Sequence, residues 1–141
     1  FMNLTIIGTG YVGLVTGACF AEFGYSVTCI DKDNERLEML QSGKCPFFEP
    51  SMDELLDKHI NKTKLISFSS TIKNNLDKTD IIFITVGTPT RRLEEEADLS
   101  FVWQVADEIA DNINNYCLVV TKSTVPVGTT REVKKNYFKK S

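Results

Sequence analysis

A glycine-rich turn near the start of the chain constrains its fold more than any other feature. Residues 3–7 have the pattern of a strand and lead directly into the sequence GTGYVG at residues 8–13, which precedes a helical pattern. In a strand–turn–helix of this kind, Gly8 permits a tight turn, Gly10 lets the backbone approach a pyrophosphate, and Gly13 lets the helix pack close to the strand. The helix N-terminus adds free N–H groups and a partial positive charge. The turn therefore predicts a bound dinucleotide.

A carboxylate follows the next strand-like run, at the position where a dinucleotide fold requires one. Asp31 comes directly after residues 26–30 and lies eighteen residues beyond Gly13. Its side chain is expected to accept hydrogen bonds from the adenosine ribose hydroxyls. Because a carboxylate at this place repels a 2′-phosphate, NAD is favoured over NADP. The neighbouring Lys32 weakens that preference without reversing it.

Short β-branched runs alternate with longer helical patterns along the chain, which predicts parallel βαβ units. Strands are predicted at residues 3–7, 26–30, 65–68, 81–86 and 118–121. Helices are predicted at residues 11–23, 34–41, 51–60, 100–113 and 129–138. Since the strands are apolar on both faces, helices should cover both sides of the sheet. The predicted fold class is α/β, a Rossmann-type doubly wound parallel sheet.

Composition excludes several classes of protein. The chain has 141 residues, enough for one domain, and 42% of them are hydrophobic, which is too many for a disordered chain. A formal net charge of −3 argues against a broad nucleic-acid-binding surface. No run approaches the roughly 18 apolar residues that a membrane helix needs. We therefore expect a cytoplasmic protein that binds neither nucleic acid nor membrane.

The cysteines and the single histidine form no recognisable metal-binding or nucleophilic pattern. No two cysteines have Cys-x-x-Cys spacing, and His59 lies far from each of them in sequence, so no metal site is expected. His59, late in a predicted helix, is expected on the surface rather than as a general base. The cysteines are all expected to be small buried thiols in a reducing compartment: Cys19, Cys29, Cys45 and Cys117.

Three further segments give the chain a more specific resemblance. Residues 45–50 are CPFFEP, residues 86–90 are VGTPT followed by ADLS at 97–100, and residues 121–129 are TKSTVPVGT. Together with the glycine turn, these segments resemble the N-terminal part of the UDP-glucose 6-dehydrogenases, in the UDP-glucose/GDP-mannose dehydrogenase family. The resemblance runs from residue 4 to about residue 130. KSTVPVGT is its most discriminating segment, because generic dinucleotide folds do not carry it.

The resemblance implies which side chains contact the adenosine half of NAD. Val12 in the glycine turn, Asp31 at the ribose and Arg36 are implied to surround it. The planar guanidinium of Arg36 is suited to lie near the adenosine phosphates or over the base. Tyr11 is assigned to the same cofactor-binding turn.

Two threonines are implied at the nicotinamide half. Thr88 and Thr124 follow two strands at their carboxyl ends, where ligands bind in open α/β sheets. Thr124 is also implied in catalysis, where it would order the water or substrate oxygen near the reacting carbon. Lys122 is either a phosphate ligand or a surface residue. The charged loop 91–96 departs from the family pattern and is expected to be a solvated surface.

The resemblance also implies a reaction, the oxidation of UDP-glucose at C6 to UDP-glucuronate with two NAD. None of the four cysteines matches the family's nucleophile, which would follow KSTVPVGT. Residues 1–141 are therefore expected to be an incomplete N-terminal NAD-binding domain that lacks the substrate and dimerisation domains. Such a chain should be inactive alone, while UDP-glucose would bind the full-length protein, a homodimer or larger.

Two alternative functions remain open on the sequence. In the first, the parent protein oxidises another nucleotide sugar, such as GDP-mannose or UDP-N-acetylmannosamine, because most sugar contacts would lie outside these residues. A regulatory NAD-sensing module, of the kind attached to ion transporters, has a similar length and the same glycine turn. Such a module is not expected to carry VGTPT or KSTVPVGT at its later strand ends.

Overall fold

Five parallel strands form the centre of the computed structural model, which describes residues 1–90 and 97–138. They are β1 (Asn3–Ile7), β2 (Ser26–Ile30), β3 (Ile66–Ser69), β4 (Ile81–Ile84) and β5 (Leu118–Thr121). Their order across the sheet is β3-β2-β1-β4-β5, and every neighbouring pair is parallel. The predicted Rossmann-type α/β sheet is confirmed. Its strand order reverses between β1 and β4, where ligands bind in open sheets of this class.

The helices lie where the sequence pattern predicts them, with small shifts in their bounds. They are α1 (Tyr11–Glu22), α2 (Asn34–Gln41), α3 (Met52–Asp57), α4 (Ser100–Asn112) and α5 (Thr129–Tyr137). The largest difference concerns the helix predicted at residues 51–60, because α3 ends at Asp57 and Lys58–Lys62 form a π-helical turn. Across the described residues, no helix has both the length and the apolar character needed to cross a membrane.

Apolar side chains fill both faces of the sheet. One cluster joins Leu4 of β1 to Leu14 of α1, and a second joins Ile7 of β1 to Ile109 of α4. Helix α1 fits closely against the sheet, since a Cβ at Gly17 would lie 3.1 Å from a cysteine sulfur on β2. The two edge strands, β3 and β5, are less buried than the three inner strands because each pairs on one side only within the described residues. The glycine turn is thus held between β1 and a tightly packed α1.

The expectation of a surface histidine is wrong. The side chain of His59 is only 2% exposed, and its Nε2 lies 2.6 Å from Glu22 Oε2 at the end of α1. Its Nδ1 lies 2.9 Å from the Thr63 hydroxyl, and Lys58 Nζ also contacts Glu22, at 2.7 Å. Hydrogen bonds from Lys58 and then His59 hold the pKa of the Glu22 carboxyl below its usual range. The π-helical turn therefore fastens α3 to the far end of α1, away from the glycine turn.

The cysteines match the expectation only in part. Cys29 is fully buried on β2, and burial raises the pKa of its thiol to about 12, so it is inert. Burial also raises the pKa of Cys45 and of Cys117, which are partly buried. Cys19 is exposed, contrary to the prediction, because it lies on the solvent side of α1. Among the described residues, no three His, Cys, Asp or Glu side chains are grouped to hold a metal ion.

Candidate dinucleotide site

A cleft of about 430 Å³ opens beside the carboxyl ends of β1, β2 and β4. Five parts of the chain line it: the glycine turn, the residues that follow β2, β3 and β4, and one face of α4. Its lining includes Gly8, Gly10, Asp31, Arg36, Phe101 and Glu108. The sheet reverses its strand order at this point, so the cleft lies where a doubly wound fold binds a dinucleotide.

The glycines of the turn meet different structural requirements. Gly8 has a φ of +101°, and a Cβ there would lie 2.8 Å from the carbonyl oxygen of Thr85. A Cβ at Gly13 would overlap the carbonyl oxygen of Gly8. At Gly10 a Cβ would meet nothing within 4 Å, and no side chain caps the start of α1. Two glycines therefore close the turn, and the space beside Gly10 fits a pyrophosphate at the helix N-terminus.

Asp31 is held in place before any ligand binds. Its Oδ2 accepts hydrogen bonds from the Thr9 N–H at 2.8 Å and the Thr9 hydroxyl at 2.6 Å, and Arg36 Nη1 lies 3.2 Å away. Its Oδ1 accepts the N–H of Asp33 at 2.9 Å. Burial raises the pKa of Asp31, but these hydrogen bonds and the Arg36 charge outweigh it and hold the pKa below its usual range. The carboxylate is therefore ionised and oriented at neutral pH.

Thr9 is a candidate site residue that the motif does not single out, because its position in Gly-x-Gly-x-x-Gly accepts any residue. Its side chain is fully buried, and both its N–H and its hydroxyl point to Asp31. It therefore connects the glycine turn to the Asp31 carboxylate. A hydroxyl between two site glycines is the only sequence signal that suggests this role.

Replacing Thr9 by valine is expected to weaken NAD binding by about three- to tenfold, because a charge-assisted hydrogen bond to Asp31 is lost while the volume is kept. Isothermal titration with NAD measures the change. Thr16→Val is the matched control, since the Thr16 hydroxyl donates to the Val12 carbonyl within α1 and not to Asp31. Equal NAD affinity in the two variants would contradict the role assigned to Thr9.

The predicted adenosine residues are only partly brought together. Arg36 lies beside Asp31 and 4.0 Å from the Asp33 carboxylate, so its guanidinium is paired rather than free for a phosphate. Val12 is exposed at the start of α1. Tyr11 is also exposed; its ring centroid lies 5.3 Å from that of Phe47. A hydrogen bond to the Glu49 carboxylate raises the pKa of Tyr11. Contact of Tyr11 and Val12 with the cofactor stays a prediction.

Thr88 and Thr124 meet outside the cleft. The Thr88 hydroxyl donates to the Thr124 carbonyl oxygen at 2.7 Å, and the Ser123 hydroxyl donates to the Val86 carbonyl at the same distance. These two bonds join the loops that follow β4 and β5. Lys122 is exposed beside them, and its proposed phosphate contact stays a prediction. The loop 91–96, expected to be a solvated surface, lies outside the described residues.

Helix α4 contributes side chains to the cleft that no sequence motif had assigned to the site. Phe101, Gln104, Val105 and Glu108 share one face of α4 and line the cleft opposite the glycine turn. Lys32, after β2, reaches across to Glu108 with Nζ and Oε1 2.6 Å apart. The three- and four-residue spacing of Phe101, Gln104, Val105 and Glu108 places them on one helix face, but the sequence does not indicate what that face contacts.

Comparison with known proteins agrees with the geometry. Residues 2–141 match the family model described as the UDP-glucose/GDP-mannose dehydrogenase family, NAD binding domain. A UDP-glucose 6-dehydrogenase of Rhizobium meliloti is 48% identical over 134 residues, covering 95% of this chain and 30% of that protein. A UDP-glucose 6-dehydrogenase of Pseudomonas aeruginosa is 42% identical over 132 residues, covering 94% of this chain and 29% of that protein.

Solved structures give the same result. The crystal structure of a GDP-mannose dehydrogenase ternary complex from Pseudomonas aeruginosa has a TM-score of 0.89 at 30% identity, covering 99% of this chain and 33% of that one. A UDP-glucose dehydrogenase from Pyrobaculum islandicum has a TM-score of 0.84 at 32% identity, covering 97% and 33%. The chain thus spans about a third of the length of these proteins, and its cofactor is NAD. It belongs to the UDP-glucose/GDP-mannose dehydrogenase family, within that family's NAD-binding domain.

Proposed function

We propose that this chain is the NAD-binding part of a UDP-glucose 6-dehydrogenase, which oxidises UDP-glucose to UDP-glucuronate with two NAD. Residues 1–141 form the N-terminal NAD-binding domain of that enzyme, and the substrate and dimerisation domains belong to other parts of the protein. The isolated chain binds NAD and does not oxidise UDP-glucose. The full-length enzyme is a cytoplasmic homodimer or larger assembly.

The observation that carries the proposal is the junction between the two loops after β4 and β5. A generic dinucleotide fold needs only the glycine turn and the ribose carboxylate. Here the Thr88 hydroxyl also holds the backbone of Thr124 at 2.7 Å, and the Ser123 hydroxyl holds the Val86 carbonyl. The junction holds two loops together at the carboxyl edge of the sheet, which supports a second functional region there. The 48% identity to a UDP-glucose 6-dehydrogenase supports the choice of sugar nucleotide.

Different residues of the site hold different parts of NAD, which supplies the hydride acceptor when it is bound. Gly8, Gly10 and Gly13 shape the turn at the pyrophosphate, and Asp31 accepts hydrogen bonds from the adenosine ribose. Arg36 holds Asp31 and lies at the adenosine end. These residues would hold the adenosine half and the pyrophosphate, and the residues of the loop junction would be left to meet the nicotinamide half.

The threonines at that junction have separate tasks. The hydroxyl of Thr88 is engaged with the Thr124 backbone, so Thr88 positions the loop. The side chain of Thr124 makes no hydrogen bond within the described residues, and we assign it the catalytic task of orienting the water or substrate oxygen.

A second candidate is oxidation of a different nucleotide sugar. The GDP-mannose dehydrogenase structure superposes with a TM-score of 0.89, at least as well as the UDP-glucose dehydrogenase structure at 0.84. The cofactor domain is therefore compatible with either substrate. The higher sequence identity to UDP-glucose 6-dehydrogenases favours UDP-glucose.

Two assays test the proposal. NADH formation by the full-length protein is measured with UDP-glucose, GDP-mannose and UDP-N-acetylmannosamine; we expect UDP-glucose to be preferred, with about two NADH per sugar. A preference for another sugar would select the second candidate, and no turnover with any sugar would favour a sensing module. The isolated chain is titrated with NAD and assayed with UDP-glucose, where NADH production would contradict the proposed inactivity.

A further inference from the structure

Both basic side chains at the ribose end of the cleft are already paired with carboxylates. Arg36 Nη1 lies 3.2 Å from Asp31, and Arg36 Nε lies 4.0 Å from Asp33. Lys32 Nζ lies 2.6 Å from Glu108 on α4. The charged groups around this end of the cleft thus comprise three carboxylates and two cations, and the described residues leave neither cation without an acidic partner.

This pairing bears on the choice between NAD and its 2′-phosphorylated form. A 2′-phosphate brings a charge close to −2 into the space beside Asp31, and a protein that accepts it needs a cation free to contact it. Arg36 is restrained by two carboxylates on its own side of the cleft. Lys32 is the better donor, because it directly follows Asp31 and its side chain is 61% exposed. Among the residues that the structure describes, only Glu108 pairs with it, from the other side of the cleft.

We propose that Glu108 helps to set the preference for NAD over NADP by holding Lys32 across the mouth of the cleft. Lys32 is then not free to contact the 2′-phosphate of NADP. Asp31 excludes that phosphate by direct repulsion, while Glu108 acts through Lys32 and is a positioning residue. The inference rests on NAD binding in this cleft. Helix α4 thereby takes part in cofactor choice through Glu108, which lies outside every sequence motif.

The test compares NAD and NADP binding to the chain and to Glu108→Gln by isothermal titration. Glutamine keeps the shape of the side chain and removes its charge, so Lys32 is released toward the ribose. The ratio of NADP affinity to NAD affinity is expected to rise about tenfold, equivalent to roughly 1.4 kcal/mol. The gain should shrink as salt is added, because it is a contact between charges.

Two further variants test whether the gain in NADP affinity comes from the change in net charge alone or from the release of Lys32. Asp107→Asn makes the same change of net charge one residue away, but Asp107 lines a different groove, between α4 and α5. The NADP affinity of this variant should therefore equal that of the original chain. The double variant Glu108→Gln with Lys32→Gln should lose the gain, because the released cation is gone.

Three results would overturn the inference. These are unchanged NADP affinity in Glu108→Gln while NAD still binds, an equal gain in Asp107→Asn, and a gain that persists without Lys32. If the unaltered chain failed to bind NAD, the site itself would be wrong, a result distinct from these three that removes the inference as well.

Discussion

Replacement of Gly13 by alanine is expected to destabilise the fold by about 3 kcal/mol or more and to abolish NAD binding with it. The added Cβ would overlap the Gly8 carbonyl oxygen and lie 2.6 Å from the Thr85 hydroxyl. These atoms cannot simply move aside, because the Thr85 hydroxyl donates to the Ile7 and Gly8 carbonyls at 2.9 and 2.8 Å. The methyl group therefore separates the turn from β4. Thermal unfolding should show a midpoint lower by on the order of 10 °C.

Gly10→Ala is the matched control, since it makes the same chemical change in the same turn. Gly10 has a φ of −68°, which any residue adopts, and no atom lies within 4 Å of an added Cβ. Its unfolding midpoint should stay within about 2 °C of the original, because nothing is overpacked. NAD affinity should still fall, because the methyl group occupies the space where backbone approaches the pyrophosphate. Equal midpoints for the two variants would contradict the assigned roles of these glycines.

The fold was predictable where local sequence decides it. Helix α2 has the predicted bounds Asn34–Gln41, because Asp33 caps it by accepting the Arg36 N–H at 3.1 Å. Strand β1 and the turn follow from a run of apolar residues that meets a glycine motif. Helix α3 was predicted less well, because the α-helix ends at Asp57 and gives way to a π-helical turn at Lys58–Lys62. Its start is also not capped as the residue type suggests, since Ser51 has a φ of 64° and makes no side-chain cap. A capping residue type indicates a helix start without fixing the backbone before it.

The candidate site was predictable at its motifs and not at the contacts between them. Asp31 was assigned from its distance along the chain, yet Thr9, which holds it, stands at a position that the motif leaves open. Glu108 is separated from Lys32 by seventy-six residues, and only the packing of α4 beside the cleft brings them together. His59 was misplaced for the same reason, since its partner Glu22 lies on another helix. Long-range pairs depend on packing that no local pattern contains.

Asp31→Asn is expected to weaken NAD binding by about 30- to 100-fold, because a charged acceptor for the ribose hydroxyls becomes a neutral one, a loss of roughly 2–3 kcal/mol. Asparagine has a single side-chain oxygen. Either the Thr9 donors or the Asp33 N–H then faces an NH₂ group in place of an acceptor. Titration with NAD measures the effect. Asp33→Asn is the control, since asparagine also caps a helix well and the charge change is identical.

The variant Asp31→Asn also reports on the contribution of Asp31 to the stability of the fold. The pKa of Asp31 is lower in the folded chain than its ordinary value, because hydrogen bonds and Arg36 outweigh the effect of burial. The carboxylate therefore stabilises the fold fully above about pH 4, and this contribution is lost as the pH falls through the lower folded pKa. The difference in free energy of unfolding between the original chain and Asp31→Asn should thus be constant near neutral pH and narrow below about pH 4. A difference that stayed constant down to acid unfolding would mean that the Asp31 network does not depend on the charge of the carboxylate.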